Sequence, residues 1–244
     1  IAERKAQEIQ LRARRREDEW PLARAQETKY YLHSAGKANS ATGDGVLSIT
    51  LPAAETNDQY TYDPANPAPT VGGPLCCDSA HLAPGPRDQR SVEARPDVLI
   101  YSTAALQEDL EVTGPVRVEL FAKSSAVDTD FVAKLVDVGP DGFAQNLTEG
   151  IVRARYRNSQ QTPELLKPGE IYKFNIDLWA TSNLFRRGHR LRLEISSSNF
   201  PRFDRNTNTG DDSAHSRKFV VAQNAIVHDG SHPSALILPI VPRP

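Results

Sequence analysis

Leu191, Leu193 and Ile195 alternate with Arg190, Arg192 and Glu194, a period of two that predicts a strand with one buried face. Ser196, Ser197 and Ser198 close it, and Asn199-Phe200-Pro201 opens a polar loop from Asp204 to Gly210. A buried strand running into an asparagine-rich loop is one way to hold that loop against a partner surface; a plain strand connection is the simpler reading. The alternation recurs over Asp130–Val138, where Phe131, Ala133, Leu135 and Asp137 face one way and Val132, Lys134, Val136 and Val138 the other. Pro140-Asp141-Gly142 then turns the chain. Further strands are predicted over Thr28–His33, Val46–Leu51, Gln59–Tyr62, Val98–Tyr101, Ile151–Tyr156, Glu170–Leu178, Lys218–Val221 and Leu236–Ile240. Another runs over Glu111–Ser124, broken by Gly114-Pro115, and Ala180–Gly188 reads as a connector. Many short strands with turn residues between them predict an all-β, jelly-roll-like antiparallel β-sandwich.

Two stretches depart from that pattern. Residues 1–19 read as a short N-terminal helix or linker, with Ile1, Ala2, Ala6, Ile9 and Ala13 on one weakly apolar side. Arg14, Arg15 and Arg16 are followed by Glu17, Asp18 and Glu19, the mark of a solvated charged face. The β domain is expected over 20–244, with a long loop at 63–97. Seven prolines between Asp63 and Pro96 remove backbone donors, so this loop is not sheet. Within it Gly72-Gly73-Pro74 delivers Leu75-Cys76-Cys77, an apolar patch that something should cover.

The chain of 244 residues is long enough for one large core. Its formal net charge of −2 gives no electrostatic case for nucleic acid or an anionic membrane as partner. No apolar run is long enough for a bilayer-spanning helix. No signal-peptide pattern is present, so the expected location is cytoplasmic, and the absence of methionine marks the chain as a fragment or processed piece. Cys76 and Cys77, the only cysteines, are expected as reduced thiols, because adjacent cysteines pair only with strain.

Candidate chemistry is sparse. The Gly-x-Ser-x-Gly elbow of an α/β serine hydrolase is missing, and Ser196, Ser197 and Ser198 lack flanking glycines, so no catalytic residue is assigned. His189 sits in a turn and is expected to be structural, with a backbone partner. His228, Asp229 and His232 could hold zinc only with ligands from elsewhere. Asp128, Asp130, Asp137 and Asp141 lack the spacing of a calcium loop. No metal or other cofactor is expected.

Four segments, matching in order, resemble the C-terminal β-domain of the cocaine esterase and X-prolyl dipeptidyl aminopeptidase family of serine hydrolases, which also holds cephalosporin acylases and α-amino acid ester hydrolases. They are Ser124–Gly142, Gly150–Arg157, Pro168–Phe185 and Gly188–Gly210. The resemblance implies a galactose-binding-like jelly roll and a parent enzyme that hydrolyses an ester or amide through an acyl-serine, its Ser-His-Asp triad lying in a catalytic domain absent from these residues. It also implies that Leu75, Cys76 and Cys77 line the acyl pocket. Asn199, Phe200, Pro201, Asp204 and Asn206 are the candidates for the interface with an α/β-hydrolase domain of the same protein, and homo-oligomerisation is a further expectation. The alternative is a free-standing carbohydrate- or protein-binding jelly-roll module.

Overall fold

The computed structural model describes residues 16–76, 82–211 and 216–242. Its strands are β1 (Gln26–His33), β2 (Val46–Ser48), β3 (Asp58–Tyr62), β4 (Leu99–Ser102), β5 (Leu110–Ser124), β6 (Asp130–Val138), β7 (Ala144–Arg153), β8 (Tyr172–Phe185), β9 (Arg190–Ser196), β10 (Ala222–Val227) and β11 (Ala235–Val241). They form one continuous sheet in the order β3-β10-β5-β11-β1-β2-β4-β9-β6-β7, with β8 on the second edge of β5. Pairing is antiparallel except between β2 and β4, which meet at Val46 and Ser102. The sheet folds over one core, so that Phe131 of β6 packs on Phe174 of β8 with ring centroids 4.7 Å apart. The all-β sandwich expected from the alternation is therefore the architecture found.

Several boundaries differ from expectation, each for a local reason. Gly114-Pro115 does not break β5. Gly114 takes φ +144° against Pro239, where a Cβ would approach within 2.9 Å, and Pro115 still lies opposite Ala180. The register shifts just beyond, between Pro115 and Arg117. Facing it, Trp179 adopts φ +65° and donates its amide to Asp177 at 2.7 Å, a bulge that lets β8 continue through the predicted connector to Phe185. β7 begins at Ala144 rather than Ile151 and gives way to a 3-10 turn at Ala154–Tyr156. Lys218–Val221 is not a strand; the strand is Ala222–Val227 instead. The predicted N-terminal helix falls largely at 1–15, outside the described residues, and Arg16–Glu19 are not helical. The short helix described is α1 (Arg90–Glu93), inside the proline-rich loop.

That loop covers the outer face of β9, β6 and β7. Gln89 donates its amide to Ala144 O at 2.8 Å, the Arg87 amide donates to Asn146 Oδ1 at 2.7 Å, and Val92 packs with Ala68, Val98 and Ile100. The consequence is a correction to the strand pattern: β9 has two buried faces. Arg192 and Glu194, expected on the solvent side, are 7% and 2% exposed. Burial of charges demands partners. Arg192 Nη1 donates to Glu93 Oε2 at 2.7 Å, Lys134 Nζ donates to Gln89 Oε1 at 3.2 Å, and Arg202 Nη1 donates to Glu149 Oε1 at 2.6 Å. Glu149, Lys134 and Glu194 lie opposite one another across β7, β6 and β9. Neither oxygen of Glu194 meets a hydrogen-bond donor among the described residues. Burial pushes its carboxyl up to about 8; Lys134 pulls the other way, and the neighbouring Glu93 adds to the rise.

Candidate functional site: an exposed face built by two loops

Gly72 and Gly73 turn with φ +69° and +100°. A Cβ at Gly72 would come within 2.5 Å of Gly85 O, and one at Gly73 within 2.7 Å of Glu149 Oε1, so both need glycine. Gly73 and Gly85 exchange two backbone hydrogen bonds of 2.9 Å, which close the base of the loop carrying Leu75. Leu75 is half-buried and Cys76 exposed; Cys77 lies outside the described residues. The expectation of a reduced thiol at Cys76 is corrected. It is disulfide-bonded, and a sulfur so engaged has no proton to lose and no thiolate to offer.

Beside this loop runs the segment after β9. The Thr70 amide donates to Phe200 O at 2.7 Å and the Phe200 amide to Ala68 O at 2.9 Å. The Arg202 amide donates to Thr70 Oγ1 at 3.1 Å, joining the two loops, and its guanidinium reaches under Gly73 to Glu149. The two predicted groups, Leu75-Cys76 and Asn199-Phe200-Pro201, are thus brought together through Thr70, Gly73 and Arg202.

Within the second loop the side chains divide. Phe200, Pro201 and Asp204 are exposed, while Asn199 and Asn206 are buried, and Asn206 supports the loop from beneath. Asn206 Nδ2 donates to Asp128 Oδ2 and Asp130 Oδ1, both at 2.8 Å; its Oδ1 accepts the Asn208 amide and its carbonyl accepts the Tyr62 hydroxyl. Asp130 is fully buried, which raises its pKa against the opposing pull of Arg153. Asn208 Nδ2 in turn donates to Val220 O at 2.6 Å, and the Val220 amide donates to Thr207 O. This pins a segment whose Phe219, Val220 and Val221 are 42%, 45% and 50% exposed. Arg205 stacks on both Phe200 and Phe219, at 5.0 Å from each ring. Phe200 and Phe219 with Val220 and Val221 make an uncovered apolar face next to the Leu75 loop.

The remaining candidates separate. His189 Nδ1 lies 2.8 Å from Asp137 Oδ1, so its side-chain partner is a carboxylate rather than backbone. Asp128 pairs with Arg155 and Asp130 with Arg153, away from Asp137. His232 stays with Asp229, whereas His228 turns inward. There His228 Nε2 lies 2.9 Å from Asp58 Oδ2 and its Nδ1 3.2 Å from Glu55 Oε2, with Ser34 and Tyr101 donating to Asp58. This cluster carries no motif at sequence level, since its members come from four separated segments. Among the described residues no group of three or more His, Cys, Asp or Glu is placed to hold a metal ion, and no helix is long and apolar enough to cross a membrane.

Comparison with known proteins matches residues 2–237 to the family described as the X-Pro dipeptidyl-peptidase C-terminal non-catalytic domain. The cocaine esterase of Rhodococcus sp. (strain MB1 Bresler) is 49% identical over 231 residues, which are 94% of this chain and 40% of that protein. Among solved structures, an aminopeptidase from a marine sediment archaeon, Thaumarchaeota archaeon, superposes with a TM-score of 0.81 at 30% identity, over 93% of this chain and 38% of its own. An α-amino acid ester hydrolase gives 0.78 at 31% identity, over 88% of this chain and 36% of its own. The chain thus spans about two fifths of the length of these relatives.

Proposed function

The chain belongs to the family of X-Pro dipeptidyl-peptidase C-terminal non-catalytic domains, and from that premise we propose that it is the wall of a serine-hydrolase cleft. In this reading the Phe200–Phe219 face packs against an α/β-hydrolase catalytic domain of the same protein. Leu75 and Cys76 then border the acyl side of the pocket, and Asp204 lies at the rim. The bond-breaking chemistry, ester or amide hydrolysis through an acyl-serine, belongs to the partner domain. One observation carries the proposal: Phe219, Val220 and Val221 are held exposed in a row by Asn208 and Thr207, with Phe200 alongside. Water-facing apolar residues fixed in place by buried hydrogen bonds mark a surface shaped for another protein.

The test is hydrolysis of p-nitrophenyl acetate and butyrate by the purified chain, by a separately expressed catalytic domain of the same protein, and by the two mixed. The expected result is no turnover by the chain alone and a gain in rate on mixing. Turnover by the chain alone, or no effect and no association on mixing, would overturn the reading.

A further inference from the structure

At the opposite end of β9 from Phe200, the loop between β1 and β2, the end of β4 and the start of β9 line a half-open cleft of about 430 Å³. Arg190, Arg192, Ser40, Ser102 and Thr103 supply its polar lining, and among the described residues no carboxylate lines it. The period of two along β9 puts Arg190 and Arg192 on one face. Both guanidiniums are anchored. Arg192 Nε donates to Ser102 Oγ at 2.8 Å and its Nη1 to Glu93 Oε2, while Arg190 Nη1 donates to Thr103 O at 2.8 Å. Gly45 seats the opposite wall so closely that a Cβ there would lie 2.0 Å from Ile100 O.

We propose that this cleft binds a small oxyanion, a carboxylate or a phosphate. A guanidinium carries five N–H donors. The anchoring bonds above use two from Arg192 and one from Arg190, leaving donors whose direction is already set. Glu93 offsets one of the two cations, so the cleft keeps a surplus of one positive charge. Fixed guanidinium forks suit the paired oxygens of carboxylate and phosphate, and little side-chain freedom is left to lose on binding. The hydroxyls of Ser40, Ser102 and Thr103 surround the same space. The volume falls within the usual range for small-ligand sites and admits an ion as large as benzoate.

Thermal unfolding of the 244-residue chain in sodium benzoate, sodium phosphate and sodium chloride at equal ionic strength tests this. An anion that binds only the folded state raises the melting temperature in proportion to the logarithm of its concentration. The expected result is a rise of a few degrees over chloride in benzoate or in phosphate. Benzoate alone would assign a carboxylate site, phosphate alone a phosphate site. Arg190→Gln, compared with its own melting temperature in chloride, should lose the rise. Arg192→Lys keeps the charge but loses the fork, and should weaken binding in calorimetric titration about tenfold, corresponding to one lost charge-assisted hydrogen bond. An equal rise in chloride, or a rise that persists in Arg190→Gln, would overturn the proposal.

Discussion

Arg202 donates to Glu149 across 2.6 Å, and this contact joins the loop after β9 to β7 directly beneath Gly73. Glu149 is almost wholly buried, and among the described residues its other cation is Lys134 at 3.9 Å. Removing Arg202 leaves the buried carboxylate with the longer contact to Lys134 in place of a close, hydrogen-bonded pair. Arg202→Met should therefore cost about 3 kcal/mol in denaturant unfolding. The same variant should speed hydrogen exchange at the Gly73 and Gly85 amides, because the loop base loses its support. Unchanged exchange there would separate the two loops energetically.

Glu194 should make the fold less stable as pH rises. Its folded pKa, about 8, lies above the ordinary Glu value, so between about pH 4.5 and 8 the folded chain holds a proton that the unfolded chain has released. Stability then falls across that window by up to about 1.4 kcal/mol per pH unit. Glu194→Gln should remove this part of the slope. A variant whose unfolding free energy keeps the parent's slope would assign the proton elsewhere.

His228 and Asp58 should show opposite signs. Burial pulls the His228 pKa down, but Asp58 and Glu55 outweigh it and hold the ring above its ordinary value. The stability this confers is present in full below about pH 6.5 and is lost as pH rises through the folded value. Burial would raise Asp58, but hydrogen bonds from His228, Ser34, the Ala38 amide and Tyr101 bring it below its ordinary value. Its contribution is present above about pH 4 and is lost as pH falls through the folded value. His228→Gln should be destabilised most near pH 5 to 6, by about 3 kcal/mol, and should converge on the parent at alkaline pH. A deficit independent of pH would mean that the ring is neutral in the fold.

Phe200→Ser should leave the melting temperature of the chain unchanged within about a degree, since the ring is exposed and, among the described residues, stacks on Arg205 alone. Its association with the catalytic domain should weaken about tenfold or more, as expected for a central aromatic anchor. Equal affinity in a binding titration would move the interface away from this face.

Much of the architecture was legible in the strand periodicity, because one-sided burial leaves a clean alternation along Val116–Ser124 of β5 and Tyr172–Leu178 of β8. What the alternation could not reveal was a second covering layer. Arg192 and Glu194 occupy positions that mark a solvent face when nothing lies over it, and here α1 and its flanking loop do. The bulge at Trp179 was equally hidden, since Ala180–Gly188 carries the composition of a connector while its first part, to Phe185, pairs with β5. For the candidate face, Phe200 and the Leu75 loop were readable as apolar residues in polar surroundings. Phe219, Val220 and Val221 were not, since three apolar residues in a row imitate a buried strand.

β11 lies between β5 and β1, yet it is the last of the eleven strands in chain order. During synthesis the middle of the sheet is therefore completed at the end. At a ribosomal rate of about 5–20 residues per second, some seconds pass between the appearance of β5 and the emergence of its neighbour. Throughout that interval β1 and β5 each present an unpaired edge capable of joining a strand from another nascent chain. A shortage of chaperone should thus be felt first in yield, through losses of chains stalled or truncated ahead of Ala235, before any change in the finished protein.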